Sequence, residues 1–316
     1  MQTETTIERA PGVARGGSPP MPEKRWVEAG GIRTCYYESG QGEPIVFIYG
    51  GNFGTADSAS SAFTWNLNIA PLSKRFRVIA LDKAGQGHTG NPLDDDYTMQ
   101  AVVDHAAAFV KALGLPPVHL VGHSRGGFAA TRMTLQHQHL IRTLTIINSG
   151  TLMPRVGTNE VVLGKPPFPS YTRECARWVY ENYSFRREIV TEQWIDAVME
   201  VLNLPKYRES VKKFVDEGFG ATKFTPNLAR DKRETLGWLR EGRLQRPTQI
   251  VWGFNDRTAT IEGGFDLFGM IAARERRTEL HVINESGHFP FREHPERFNA
   301  LMAGFAAQHS ASGGAA

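Results

Sequence analysis

Cysteine is scarce in this chain, and neither basic nor acidic residues are in large excess. The 316 residues include two cysteines, Cys35 and Cys175, too few and too far apart for a disulfide-rich fold or a cysteine-ligated metal site. One disulfide could join them, but two buried free thiols are the expectation. The 36 basic and 33 acidic residues nearly cancel to a net charge of +3. No basic run typical of nucleic-acid binding occurs.

Long apolar stretches are also missing. No run approaches the ~18 apolar residues that a membrane span requires. The N-terminal stretch MQTETTIERAPGVARGGSPPMPEKR lacks the apolar segment of a secretory signal. We therefore expect a cytoplasmic, soluble protein that binds neither membranes nor nucleic acid. Residues 1–24 and 311–316 are predicted to be disordered tails because they are poor in apolar residues.

Short apolar runs alternate with helical patterns in the first half of the chain. EPIVFIYG, FRVIALD, VHLVGHS and IRTLTIINSG each have the continuous apolar core of a strand buried on both faces. Between the second and third run, Thr98 is a candidate N-cap and Gly114 a candidate stop for a helix. Strands that alternate with helices predict an α/β fold with a doubly wound, mostly parallel sheet.

The pattern changes after about residue 150. The stretch 152–245 has helical periodicity and is rich in Glu, Arg, Trp and Tyr, with TEQWIDAVMEVL and RETLGWLREG as its clearest helices. Buried-strand patterns return at TQIVWGFND and TELHVINES. We therefore predict one α/β core, formed by 25–151 and 246–310, that is interrupted by a helical cap at 152–245.

One motif in the core predicts a nucleophile. Ser124 lies in GHSRG, between the strand VHLV and the helix GFAATRMTLQ. On such a sharp turn, small flanking residues let the serine hydroxyl stand clear, and the helix N-terminus brings backbone N–H groups beside it. The alternative role for Ser124 is a plain helix N-cap.

A serine needs a base and an acid to become a nucleophile. His288, in ESGHFPF, follows one late strand, and Asp256, in VWGFNDRTA, follows the strand before it. Both would lie at the carboxyl edge of a parallel sheet, where sites of such folds cluster. The predicted catalytic triad is therefore Ser124, Asp256 and His288.

Other acids and histidines fit these roles less well. The strand after the nucleophile helix ends at Asn148, which is not an acid, and Glu285 is too close to His288 in sequence. His123 adjoins Ser124 and should point away from its hydroxyl. The remaining competitors are assigned to loops or helices: Asp94, Asp95, Asp96, His88, His105, His137 and His139. No set of ligands has metal-type spacing, so we predict no metal and no cofactor.

The tetrahedral intermediate of such a reaction needs two N–H donors for its oxyanion. The backbone N–H of Arg125 follows the nucleophile directly. The glycine-rich loop IYGGNFG should supply the second, from Gly51 or from the adjacent Asn52.

The segments GHSRG, DKAGQGHTG, WGFNDRTA and SGHFPFREHPERFNALMAGF resemble the α/β-hydrolase superfamily. Within it they resemble the meta-cleavage product hydrolases, which cut carbon–carbon bonds in ring-opened aromatics. The triad spacing and the long N-terminal tail look closest to the monoalkyl phthalate ester hydrolases. The resemblance covers about 30–310. It is consistent with a homodimer, although no residue pattern argues for one.

Three positions depart from the carbon–carbon hydrolases. Those enzymes usually have Asn before the nucleophile and Trp after the catalytic histidine, where this chain has His123 and Phe289. They also carry an arginine in a cap helix, and the nearest stretch here, TEQWIDAVMEV, has none. The resemblance therefore favours a serine esterase over a carbon–carbon hydrolase.

The substrate-binding residues follow from that expectation. A guanidinium at Arg125 could grip a carboxylate beside the scissile ester, or it could be a surface or salt-bridged side chain. Asn52, Phe53 and Phe289 flank the predicted site. Cap aromatics could complete its apolar walls, although such residues are more often plain core: Phe168, Trp178 and Trp194.

The first hypothesis is thus a serine carboxylic-ester hydrolase that acts through an acyl-enzyme on an aromatic-acid monoester such as a monoalkyl phthalate. The second is a carbon–carbon hydrolase of a meta-ring-cleavage product with the same triad. The third is a non-catalytic hydrolase fold that binds a small ligand.

Overall fold

The computed structural model describes residues 19–51, 53–155 and 165–311. Eight strands form one sheet in the order β1-β2-β4-β3-β5-β6-β7-β8. Their bounds are β1 (Lys24–Ala29), β2 (Ile32–Ser39), β3 (Pro44–Ile48), β4 (Arg77–Leu81), β5 (Val118–His123), β6 (Ile141–Ile147), β7 (Thr248–Gly253) and β8 (Thr278–Ile283). Strand β2 pairs antiparallel with β1 and β4, and every other pairing is parallel.

Helices cover both faces of this sheet and fill the segment between β6 and β7. They are α1 (Asn66–Leu72), α2 (Met99–Ala112), α3 (Arg125–Gln136), α4 (Arg173–Tyr183), α5 (Glu192–Leu202), α6 (Pro205–Val211), α7 (Thr225–Arg240), α8 (Ile261–Ala272), α9 (Pro290–Glu293) and α10 (Pro295–Gln308). The predicted α/β class with a mostly parallel sheet is confirmed.

Two apolar clusters, one on each face of the sheet, hold these layers together. Alternate strand residues enter opposite clusters: Val46 and Ile48 of β3 join one, and Ile45 and Phe47 join the other. This division follows from the two-residue period of a strand. Because both faces are covered, the central strands are buried along nearly their whole length and mostly apolar, as their continuous runs predict.

Helix α2 illustrates how local sequence sets an element. The Thr98 hydroxyl accepts a hydrogen bond from Ala101 N, and Gly114 has a φ of +58° just after the helix. The hydrogen bond satisfies a helix N–H that has no partner within the helix, and the positive φ after the helix end favours glycine. Both predicted ends of this helix are confirmed.

The strand order places a crevice above the sheet. From β3 the chain moves outward to β4, and it returns to β5 on the other side of β3. Loops that leave the carboxyl ends of β3 and β5 therefore diverge, which is where open α/β sheets bind ligands. The glycine loop at residues 50–51 and the nucleophile turn at Ser124 begin at these two ends.

The segment between β6 and β7 forms a cap over this edge. Its described residues, 165–247, form α4 to α7 and two π-helical segments, Lys212–Asp216 and Gly220–Phe224, and no strand. Cap and core are joined by polar contacts: the Tyr180 hydroxyl donates to Ala59 O at 2.8 Å, and Arg132 of α3 donates to Thr235 of α7 at 3.0 Å. The exact domain boundaries stay a prediction.

Both cysteines are buried free thiols, as expected. In the described part of the chain, no helix has the length and apolar character needed to cross a bilayer.

Candidate active site

Ser124 lies on a strained turn between β5 and α3. Its φ of 54° and ψ of −125° place a non-glycine residue in a region that costs conformational energy. It occupies the N-cap position of α3, yet its side chain makes no capping hydrogen bond. The N-cap role considered for this serine is therefore not the role of its hydroxyl. The backbone holds the turn, with Ser124 N donating to Ile147 O at 2.8 Å.

The small residues around Ser124 are a steric requirement. A Cβ on Gly122 would lie 2.4 Å from Gly126 O, and a Cβ on Gly126 would lie 2.3 Å from Ile48 O. Real Cβ atoms do not approach backbone oxygens so closely. The glycines of GHSRG therefore allow β3, β5 and α3 to meet at this turn.

Asp256 lies in the loop after β7, and its carboxylate accepts hydrogen bonds on both oxygens. Oδ1 accepts from Thr258 N and Thr258 Oγ1 at 2.8 Å and from Ala259 N at 3.0 Å. Oδ2 accepts from His288 Nδ1 at 2.6 Å. Burial alone raises the pKa of this carboxyl, but His288 and the backbone donors outweigh burial and hold the pKa below its usual value. Asp256 is thus an ionised partner for the histidine.

Asn148 takes part in the same network. It follows β6, where an acid could have stood instead, and its Nδ2 donates to Asp256 Oδ2 at 2.7 Å. Its own Oδ1 accepts from Gly253 N at 3.0 Å. The residue that sequence analysis set aside because it is not an acid therefore supports the acid that is present.

His288 is held through its ring, its backbone and its neighbours. With Nδ1 donating to Asp256, Nε2 is the nitrogen left for the Ser124 hydroxyl. The His288 N–H donates to Tyr183 O at 2.9 Å, and the Tyr183 ring lies 4.9 Å from the imidazole. The fully buried His123 donates from Nε2 to His288 O at 2.8 Å. Burial and the nearby His288 hold the pKa of His123 well below its usual value, so its ring is neutral.

Glu293 fastens this histidine loop to the cap. Its Oε1 accepts from Gly287 N at 2.8 Å, and its Oε2 accepts from Phe185 N and Arg186 N, both at 2.9 Å. Burial raises the pKa of this carboxyl despite these donors. The segment after α4 and the loop that carries His288 therefore share one buried acceptor.

The loop after β3 lies directly against the nucleophile. A Cβ on Gly50 would lie 2.7 Å from Ser124 Cβ and 3.2 Å from its Oγ. The next residue, Gly51, has a φ of +83°, and both glycines line the same cavity as Ser124. Arg125 opens α3, so its N–H is at the helix N-terminus. Asn52 lies outside the described residues, and its predicted roles stay predictions.

A cavity of about 510 Å³ joins these groups to the cap, within the size range of small-molecule sites. Ser124, His288 and Arg125 line it from the core. One face of α7 lines the other side through residues at helical spacing: Thr225, Leu228, Ala229 and Lys232. Lys232 is half-buried, and burial lowers its pKa. Its Nζ donates to Arg155 O at 3.2 Å.

The predicted aromatic wall is correct only in part. Phe289 lines the cavity, whereas Phe53 is fully buried and packs against Tyr97, Phe214 and Phe224. The Phe53 ring thus belongs to the apolar core and does not line the cavity.

The cap aromatics named from the sequence also lie away from the cavity lining. Phe168 is exposed, Trp178 is partly buried, and Trp194 packs behind Tyr180 and Phe289, with ring centroids 4.5 and 5.2 Å away. Tyr180 and Tyr183 of α4 line the cavity in their place. Their spacing of three residues was the available signal, but it also suits plain core packing.

The Arg125 side chain lines the cavity, with its guanidinium carbon 5.7 Å from the Phe224 ring centroid. Lys232 is the cation that sequence analysis missed, because nothing in RDKRETLGW distinguishes a cavity-facing lysine from the charged residues around it.

A second group of polar side chains lies apart from this cavity. Cys35, Asp82 and His88 offer ligand atoms within 4.8 Å of one another. Spacing along the chain does not reveal this group, because Cys35 is distant in sequence from the other two. Asp82 accepts from Ala62 N and His88 N, and Lys24 Nζ lies 2.9 Å from His88 Nε2. These bonds engage the Asp82 carboxylate and the His88 ring, and the lysine opposes a further cation.

Comparison with known proteins identifies the family to which this fold belongs. The family model described as the α/β-hydrolase fold matches residues 43–295. The chain is 28% identical over 290 residues to 2-hydroxymuconate semialdehyde hydrolase of Pseudomonas sp. strain CF600, covering 91% of this chain and 95% of that protein. It is 27% identical to 2-hydroxy-6-oxo-6-(2'-aminophenyl)hexa-2,4-dienoic acid hydrolase of Metapseudomonas resinovorans, covering 89% and 90%.

A solved structure agrees with these matches. A mutant of the meta-cleavage product hydrolase CumD from Pseudomonas fluorescens IP01 superposes with a TM-score of 0.73 at 25% identity, over 90% of this chain and 98% of that one. The resemblance to meta-cleavage product hydrolases is thereby confirmed, while the resemblance to monoalkyl phthalate hydrolases stays a prediction. The family match covers most of the chain, and the chain belongs to the α/β-hydrolase family of enzymes.

Proposed function

We propose that this enzyme is a serine hydrolase of a small carboxylate-bearing substrate, and that it cleaves the carbon–carbon bond beside an aldehyde or ketone carbonyl in a ring-opened aromatic acid. One observation carries the proposal: the cavity that contains Ser124 and His288 is also lined by Arg125 and Lys232. A nucleophile with its base and two cations in one space suits a carbonyl compound that also bears a carboxylate.

The triad would act in two stages. His288 Nε2 takes the Ser124 proton as Oγ attacks the carbonyl carbon, and N–H groups of Arg125 and Gly51 receive the oxyanion. The bond to the neighbouring carbon then breaks. That carbon keeps the electron pair and takes the proton held by His288. Water, deprotonated by His288, attacks the acyl-enzyme, releases a carboxylic acid and restores Ser124.

The relatives support this bond type over the ester that the sequence favoured. Their names describe hydrolases of a muconate semialdehyde and of a 6-oxo dienoic acid. In such a dienoic acid the carboxyl and oxo groups stand at opposite ends of the carbon chain. Lys232 lies on the cap side of the cavity and Ser124 on the core side, so a lysine–carboxylate contact can be made while the carbonyl meets the nucleophile.

A second substrate class is favoured by the position of Arg125. It adjoins Ser124 in sequence and lines the cavity. A cation beside the nucleophile suits a carboxylate ortho to the attacked carbonyl, as in a monoalkyl phthalate. His123 and Phe289, which depart from the carbon–carbon hydrolases at two positions around the triad, point the same way. Ester cleavage would use the same steps with an alcohol as the leaving group.

Three substrates distinguish these functions. The purified protein is assayed with 2-hydroxymuconate semialdehyde, monobutyl phthalate and p-nitrophenyl acetate, with Ser124→Ala as the control and products identified by mass spectrometry. We expect turnover of the semialdehyde that the alanine variant abolishes. Turnover of monobutyl phthalate without the semialdehyde would replace the first function by the second. Inertness toward all three would instead support a non-catalytic ligand-binding protein.

A further inference from the structure

Lys83 is a buried lysine whose side-chain partners among the described residues belong to the loop beside Ser124. It lies two residues after β4, and only 1% of its surface is exposed. Its Nζ donates to Gly50 O at 2.8 Å and to Gly51 O at 3.3 Å, and it lies 4.6 Å from the centre of the Tyr49 ring. Three consecutive residues after β3 thus surround the Lys83 amino group.

These contacts are unusual for a buried lysine. Among the described residues, no carboxylate oxygen forms an ion pair with Lys83 within 4.0 Å. Burying an ammonium without a paired carboxylate is costly unless other groups replace its hydration. Carbonyl oxygens and an aromatic face do so here. Burial and the charge of Arg125 hold the pKa of Lys83 well below its usual value. A neutral amine would still donate to both carbonyls.

Because a peptide unit is planar, the hydrogen bonds from Lys83 to these carbonyls also fix the direction of the N–H groups that follow them. In a trans peptide the C=O and the following N–H point in opposite directions within one plane. When Lys83 holds Gly50 O, it also directs Gly51 N–H away from itself. Gly50 abuts Ser124, since a Cβ there would touch the serine side chain. The peptide that Lys83 orients therefore lies where the oxyanion would form.

We infer that Lys83 is a positioning residue for the oxyanion hole: its Nζ fixes the Gly50–Gly51 peptide so that Gly51 N–H is aimed at the tetrahedral intermediate. Lys83 acts through the loop and does not touch the substrate. This inference rests on the proposed role of Ser124 as nucleophile, but not on the identity of the substrate. Because N–H donors count most in the transition state, Lys83 contributes to kcat more than to KM.

The test uses Lys83→Met, which keeps the length of the side chain and removes its donors. Lys206→Met is a control, because Lys206 is a partly buried lysine that also donates to backbone carbonyls, those of Gln86 and Thr89, and it does not line the cavity. Each protein is reacted with a fluorophosphonate probe, in which Ser124 Oγ bonds phosphorus and fluoride leaves. The kcat and KM for p-nitrophenyl acetate and the thermal unfolding midpoint are measured in parallel.

We expect Lys83→Met to slow both phosphonylation and kcat about 10²-fold, the effect of one oxyanion donor. Its KM should change by less than about threefold, and Lys206→Met should keep its phosphonylation rate within about threefold. Lys83→Met that reacts as fast as wild type overturns the inference. Equal losses in both methionine variants, tracking their stability, also overturn it. If the wild type itself is not labelled, the nucleophile assignment fails instead.

Where Lys83→Met impairs folding, two milder variants test the inference in its place. Lys83→Arg keeps several donors, and Lys83→Gln reaches less far with fewer. At equal folded fraction we expect the arginine variant to be phosphonylated faster than the glutamine variant. Equal rates for the two overturn the inference.

Discussion

The contact between Gly50 and Ser124 leads to a sharp prediction about Gly50→Ala. An added Cβ would lie 2.7 Å from Ser124 Cβ, 3.2 Å from Ser124 Oγ and 3.2 Å from His123 Nδ1. Ordinary carbon–carbon contacts begin near 3.5 Å. The loop or the nucleophile must therefore move by roughly 1 Å to accept one methyl group.

The size of the effect follows from that displacement. A misplacement of about 1 Å in a catalytic arrangement lowers rates on the order of 10²-fold, which corresponds to about 2.7 kcal/mol. Overpacking of a filled site costs typically about 1–3 kcal/mol of stability. Gly50 does not adopt a positive φ, so backbone strain adds nothing. We expect the folded variant to lose about 10²-fold in kcat/KM.

The assay compares kcat/KM on the best substrate with the free energy of unfolding in urea. Gly304→Ala on α10 is the matched control, because a Cβ there meets nothing within 4 Å, and alanine stabilises a helix relative to glycine. It should keep full activity. If Gly50→Ala is folded and as active as wild type, the loop does not abut the working nucleophile, and its oxyanion role is refuted.

Three further predictions concern the cavity, the triad and the core. Lys232→Met should raise KM for 2-hydroxymuconate semialdehyde about tenfold or more through loss of one charge-assisted bond, and leave KM for p-nitrophenyl acetate unchanged. Lys232→Arg should retain binding of the semialdehyde. Equal effects on both substrates would exclude a carboxylate contact. Asp256→Asn should lower kcat by about 10⁴-fold because the amide disfavours the productive His288 tautomer, and a loss below about tenfold would argue that another acid serves. Burial lowers the pKa of His105 to about 4. As pH falls from 6.5 toward 4, the unfolded chain gains a proton that the folded protein refuses, so stability should fall by up to about 3 kcal/mol. Urea unfolding at several pH values should show this decline weakened in His105→Gln, and an unchanged decline would contradict the assignment.

The elements that bear the triad could be predicted because their signals are local. GHSRG lies between an apolar run and a helical pattern, and WGFND and ESGHF each follow an apolar run. Parallel strands place their carboxyl ends on one edge, so the order of Ser124, Asp256 and His288 along the chain was enough to expect them together. The structure joins Asp256 to His288 at 2.6 Å.

Residues whose role depends on the direction in which the side chain points could not be predicted in this way. Phe53 and Phe289 are both aromatic and both near a predicted site residue, yet one turns into the core and the other lines the cavity. Neither composition nor period separates them, because a loop has no fixed period. Lys232 faces the cavity only because α7 presents that side to it.

The amino-acid sequence by itself determined the fold class and was enough to predict the three triad positions, since buried-strand periodicity and turn sterics are local properties of short segments. Tertiary structure alone decided which residues contact and support the triad and the loop beside it. Asn148 meets Asp256, His123 meets His288, and Lys83 meets the carbonyls of Gly50 and Gly51. Each of these contacts joins residues that lie at or after the ends of different strands. Its existence depends on the register and separation of those strands, and no single segment encodes them.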